Sequence, residues 1–154
     1  MAIAELRAAL DLNPSFALAH YGLGLALMLS GNAADAVPAF EMARRLSPHD
    51  PYMWAFEAIG GGAHIVLGQF EVAEQLARSA IRRPGAGFWV HSTLATALGS
   101  LDRIEEARAE LQKLLELQPD FSREWFESVL IGVDPLLTDA YFAGLYKAGL
   151  DAPK

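Results

Sequence analysis

Cysteine is absent from this 154-residue sequence, which excludes disulfides and thiolate metal sites and is compatible with a reducing compartment. Runs of positive charge are missing too. Lys and Arg number 12 against 19 Asp and Glu, a formal net charge of -7, and the cations fall in scattered pairs such as Arg44-Arg45 and Arg82-Arg83. That balance argues against binding nucleic acid through its phosphates, and the arginine pairs fit helix C-termini, where cations are favoured. No apolar run is long enough for a bilayer. Charge is missing between Asp11 and Asp35, but the apolar centre, Phe16 to Leu29, is shorter than the roughly 20 residues a span needs, and His20, Tyr21 and two glycines interrupt it. Glu5 and Arg7 break up any signal-peptide segment. The expectation is a cytoplasmic chain with no membrane or nucleic-acid partner.

Catalytic signatures are equally scarce. There is no GxSxG, Walker or CxxC pattern, and Gly22-Leu23-Gly24 is a fragment of a dinucleotide fingerprint with no strand before it. His64 has no HExxH partner, His49 sits in a Pro-flanked loop, and His20 and His91 are better explained by packing than by one metal site. Glu105, Glu106 and Glu110 read as a solvated helix face, where nothing would raise a carboxyl pKa for acid catalysis. The sequence is therefore expected to be no enzyme and to hold no cofactor or metal. Were catalysis present, the neighbourhood of His64 beside the glycines would be its place.

What is there is apolar and periodic. With 53% hydrophobic and 20% charged residues, the chain can bury a sizeable core. Ile3, Leu6, Ala9 and Leu10 share one face of a first helix that ends at Asn13-Pro14. Phe16 to Leu29 reads as a helix apolar nearly all round, so it is contacted on several sides. After a Ser30-Gly31-Asn32 turn, with Asn32 as N-cap, an amphipathic helix runs to Ser47-Pro48 and contains Pro38. Further helices are predicted over Asp50–Leu67, Phe70–Arg82, Gly87–Leu98, the segment beginning at Ile104, Phe121–Ile131 and Leu136–Ala148, with Asp151–Lys154 frayed. Gly60-Gly61-Gly62 inside one of these should cost roughly 1 kcal/mol apiece relative to alanine. Close approach of neighbouring backbone at two of the three is the favoured compensation, and a functional hinge is the alternative.

The helix-ending prolines Pro14, Pro48, Pro84 and Pro119 are separated by 34, 36 and 35 residues. Ala2, Ala36, Ala73 and Ala107, which start the second helices, are separated by 34, 37 and 34. A hairpin of this size cannot bury its own apolar face and must stack on copies of itself. In the first full unit His20, Leu23, Gly24, Leu27, Ala36, Phe40, Ala43 and Pro48 keep a fixed pattern; in the last, His91, Leu94, Ala95, Leu98, Ala107, Leu111 and Pro119 do. The pattern resembles the tetratricopeptide repeat. The middle unit departs from it, with Gly61 at the close-approach place and three extra residues expected to lengthen its first helix. The fold expected is all-α, an α-α superhelix of antiparallel helix pairs. Its parts would be a leading half-repeat at 1–14, repeats at 15–48, 49–84 and 85–119, and capping helices at 120–154. The opening on a second helix reads as the C-terminal piece of a longer array. The layout, closing Tyr141–Leu150 segment included, is similar to arrays that follow a cyclase-like or winged-helix domain in some bacterial regulators.

The resemblance implies a concave groove lined by the first helices, in a scaffold that binds a protein or peptide. Leu18, Tyr21, Leu25 and Met28 would face it, then Tyr52, Ala55 and Ile59, then Trp89, Ser92 and Thr96. The lysines, arginines and asparagines with which some members hold a C-terminal carboxylate are missing at these places, so an apolar segment is the expected ligand. The same residues could instead be covered by the C-terminal helices folding back or by a second copy. Ile3, Leu6 and Leu10, expected to stay exposed on the unpartnered first helix, point to a homodimer. The alternative function is accordingly a regulatory or homodimerising C-terminal segment of a larger bacterial signalling or transcription regulator.

Overall fold

The computed structural model describes residues 2–151. All regular structure in that range is α-helical: α1 Ala2–Leu12, α2 Ala17–Leu29, α3 Ala33–Leu46, α4 Met53–Val66, α5 Phe70–Ile81, α6 Phe88–Ser100, α7 Ile104–Leu117, α8 Arg123–Val129 and α9 Pro135–Ala148. Consecutive helices pack as antiparallel neighbours, α2 with α3, α4 with α5 and α6 with α7, and α2, α4 and α6 contact one another in series. This is a helical solenoid of the expected class. The expected fraying of residues 152–154 lies outside the described residues.

The period is visible in the backbone itself. The N–H groups of Asn32, Gln69 and Arg103 donate to the carbonyls of Leu27, His64 and Leu98 at 2.8, 2.8 and 3.0 Å, closing the three hairpin turns alike. Gly31 and Gly68 supply the left-handed residue in two of them, at φ 87 and 72, whereas Asp102 takes that place at φ 58 in the third. The alanines that start the second helices, Ala36, Ala73 and Ala107, are completely buried. A methyl group there lets paired helices close up without forfeiting helix propensity.

Local chemistry moves several helix ends from their expected places. The helix foreseen from Asp50 begins at Met53, because Asp50 Oδ1 accepts a hydrogen bond from Tyr52 N at 2.8 Å and folds the Pro51 segment into a turn. The middle unit's first helix is thus 14 residues long, one more than α2 or α6, rather than extended by three. Asn32 precedes α3 but makes no side-chain cap, its Nδ2 donating instead to the Ser30 carbonyl at 3.4 Å. Ser122 does cap, accepting from Trp125 N at 3.0 Å, and so starts α8 two residues later than expected. Gly99, beyond the helix end expected at Leu98, lies within α6.

All three glycines of the triplet are in close contact, each with a different helix. A Cβ added to Gly60 would lie 3.2 Å from the Phe40 ring of α3, one on Gly62 3.1 Å from Met28 Sδ of α2, and one on Gly61 2.9 Å from Thr93 Cγ2 of α6. Gly61 also approaches the Ala73 backbone of α5. Side chains, more than backbone, therefore explain the triplet, and α4 is the helix on which α2, α3, α5 and α6 all converge.

The C-terminal helices complete the core. α9 packs on α6 and α4 and touches α7. Gly99 of α6 and Gly144 of α9 meet at backbone contact, so that a Cβ on Gly99 would overlap Gly144 and one on Gly144 would overlap Thr96. At the other end Asp134 N donates to the Leu29 carbonyl at 2.8 Å, while the Asp134 carboxylate caps α9 through Leu136 N. Phe121, Trp125 and Phe126 join Phe88, Trp89 and Phe142 in an aromatic cluster with ring centroids 4.8–6.4 Å apart. Phe121, Phe126 and Phe142 are buried, so their rings add a large apolar area to the core at this end of the molecule.

Candidate partner-binding pocket

A pocket of about 250 Å³ opens between the first helices and the C-terminal pair. One wall comes from α2 (Tyr21, Leu25, Met28, Leu29) and one from α4 (Trp54, Ala58, Ile59, Gly62). The remaining sides are Trp89 and Thr93 of α6, Phe126 and Leu130 at α8, and Leu137 and Tyr141 of α9. Glycine at 62 leaves Met28 room to lie flat against α4. Ala58, completely buried at the base, offers its carbonyl to Thr93 Oγ1 at 3.0 Å.

No charged side chain lines this pocket. The Tyr141 and Thr93 hydroxyls that line it are already partnered: Tyr141 Oη lies 2.6 Å from Ser92 Oγ and 3.0 Å from Thr93 Oγ1. Burial pushes the Tyr141 phenol up to about 12, against the smaller opposing effect of the Ser92 and Thr93 hydrogen bonds, and burial also raises Tyr21. Both rings therefore stay neutral at ordinary pH.

Five of the ten residues expected to face a groove lie here: Tyr21, Leu25, Met28, Ile59 and Trp89. Leu18 and Tyr52 are exposed, outside the pocket, at the starts of their helices. Ala55 is buried. Ser92 and Thr96 are completely buried, Ser92 bonded to Tyr141 and Thr96 against Gly144, so α9 covers the α6 end of the face they were expected to offer. The pocket also uses Trp54, Phe126 and Tyr141, which repeat spacing does not point to. The Phe121, Trp125 and Phe126 cluster carried a signal, since three aromatics on so short a segment must find an apolar surface.

Ile3, Leu6 and Leu10 are half-buried rather than exposed. α1 packs on α2, where Leu6 fills the space above Gly22 at 3.2 Å from an added Cβ. The apolar residues left most open nearby are Leu12, 90% exposed, and Phe16.

The titratable clusters are paired within the chain. Glu57, 2% exposed, accepts from Arg83 Nε and Nη2 at 2.8 Å each and from Ser79 Oγ at 2.9 Å. Glu110 is buried rather than on the wet face with Glu105 and Glu106. Its Oε2 lies 2.8 Å from His91 Nδ1 and its Oε1 accepts from Lys113 at 2.9 Å. Burial alone would raise its pKa, but those two bonds outweigh it and hold the carboxyl below the usual range. His64 pairs with Gln69 at 2.6 Å, and His20 Nε2 lies 2.8 Å from the Pro14 carbonyl. Among the described residues no group of three or more His, Cys, Asp or Glu could hold a metal ion, and no helix is long and apolar enough to cross a membrane.

Two family models, both described as tetratricopeptide repeat, match residues 2–51 and 90–121, together just over half of the chain. No curated protein matches it. The first match spans α1 to α3 and the second most of α6 with α7, while α4 and α5, where the glycine triplet replaces the usual pattern, fall between them. With the matched units flanking a hairpin closed by the same turn and packed on the same buried alanines, the chain belongs to the tetratricopeptide repeat family.

Proposed function

We propose that this chain is a non-catalytic scaffold that binds a protein partner at the pocket between α2, α4, α6 and the C-terminal helices. The observation that carries the reading is the uncharged, aromatic-walled pocket on the first helices of a repeat array whose family serves protein interactions. Apolar anchors buried in such a pocket supply most of an interface's free energy. The test is selection of peptides from a displayed random library on the intact chain, followed by affinity measurement. Ile59→Glu, at a half-exposed pocket wall, should lower affinity at least tenfold with helical content unchanged, and Glu105→Gln on the outer surface should not. Equal affinities for the two variants would remove the pocket from the reading.

A second reading, self-association, is favoured by α1, in which no residue is fully buried, and by the exposure of Leu12 and Phe16 beside it. Sedimentation equilibrium distinguishes it: a dimer that Leu12→Glu dissociates supports the reading, and a monomer at high concentration ends it.

A further inference from the structure

We infer that the partner inserts one uncharged aromatic side chain into this pocket, rather than laying a length of helix along the face of α2, α4 and α6. The inference rests on the protein-binding reading and specifies what the partner must bring. α9 already lies on α6 and α4 and is held there at both ends, by the Gly99–Gly144 backbone contact and by the Asp134 N–H to the Leu29 carbonyl. A docking helix would have to displace it. What remains open is a pocket of about 250 Å³. A dry apolar cavity of about 150 Å³ takes a benzene ring. The larger volume here suits a phenyl or indole group with the backbone left at the mouth.

Charge selects among such anchors. The chain carries -7 overall, yet no acid, base or histidine lines the pocket, so a charged head entering it would be desolvated with no counter-ion. The hydroxyls of Tyr141, Ser92 and Thr93 satisfy one another, so an occupant need bring neither donor nor acceptor to pair them. Tyr21, Trp54, Trp89 and Phe126 present rings around the space, which favours edge and offset contacts with an aromatic guest.

The experiment uses the full chain with free indole and, as the charged counterpart, indole-3-acetate, followed by melting temperature and by amide shifts in the nuclear magnetic resonance spectrum. Indole at millimolar concentration should raise the melting temperature and move amides of α4 and α6, while indole-3-acetate should bind at least tenfold more weakly. Ile59→Trp, which fills the pocket from a half-exposed position, should abolish the response, and Leu25→Trp serves if that variant fails to fold. No response to indole, equal binding of the acetate, or an undiminished response in a folded filled variant would each overturn the inference. Library peptides that bind without an aromatic residue, when indole does not, would overturn it and leave the protein-binding reading standing. Indole binding with no peptide selected would remove that reading and the inserted side chain with it.

Discussion

At Gly24 one missing side chain sets the spacing of the first hairpin. A Cβ there would lie 3.0 Å from three atoms of the Phe40 ring, and Phe40 also fills the space against Gly60 of the next repeat. Gly24→Leu should therefore destabilise by about 1–3 kcal/mol through overpacking. Urea unfolding checks it: the midpoint should fall, whereas Glu106→Gln on the solvent side of α7 should leave it little changed, and equal midpoints would contradict the assignment of faces. Tyr141 supplies a pH test. Its phenol is pushed up to about 12, so its contribution is whole below the unfolded value of about 10 and is lost as pH rises from there towards 12. The alkaline fall in melting temperature should be smaller in Tyr141→Phe than in the native chain, and an identical fall would remove Tyr141 as a cause.

Between elements, contacts are fixed either by the repeat or by unique pairs. Repeat contacts were legible in the sequence because the period of 34 to 37 residues returns Ala36, Ala73 and Ala107 to the same buried place. The seat of α9 was not, because Gly99 and Gly144 belong to helices outside one another's repeat frame, and only the folded chain brings them together. Gly144→Val should push α9 off α6 at a cost of about 3 kcal/mol, read as faster amide exchange over 135–148. Unchanged protection would mean that the contact can relax. The Glu57–Arg83 pair is likewise unique to the α4–α5 hairpin. Arg83→Ala leaves a carboxylate 2% exposed with Ser79 as its remaining partner and should cost about 3 kcal/mol. Adding Glu57→Leu should recover much of that loss in a double-mutant cycle; if it does not, the burial of Glu57 is not the source.

For the whole molecule, the sequence revealed a stack of hairpins and five of the fourteen residues around the pocket, since these follow from helical periodicity and the repeat pattern. It left open whether the C-terminal helices fold back over these residues, as α8 and α9 do in supplying the pocket's far wall, because the side of the array on which that segment lands depends on surfaces that form only when the stack is built. In a simple array each repeat touches only its neighbours, and unfolding can proceed piecemeal. Here Asp134 is bonded to the end of α2 and Gly144 lies against α6, so the same short segment spans the first and third hairpins. Loss of helix by circular dichroism and of tryptophan burial by fluorescence should coincide in denaturant. Gly144→Val should separate them, and separate transitions in the native chain would show that the repeats melt independently. The bond from Asp134 to Leu29 thus acts as one end of a chord drawn across an arc: a spring of stacked hairpins becomes a braced frame, its aperture cannot widen to suit a visitor, and a visitor must already have the right size.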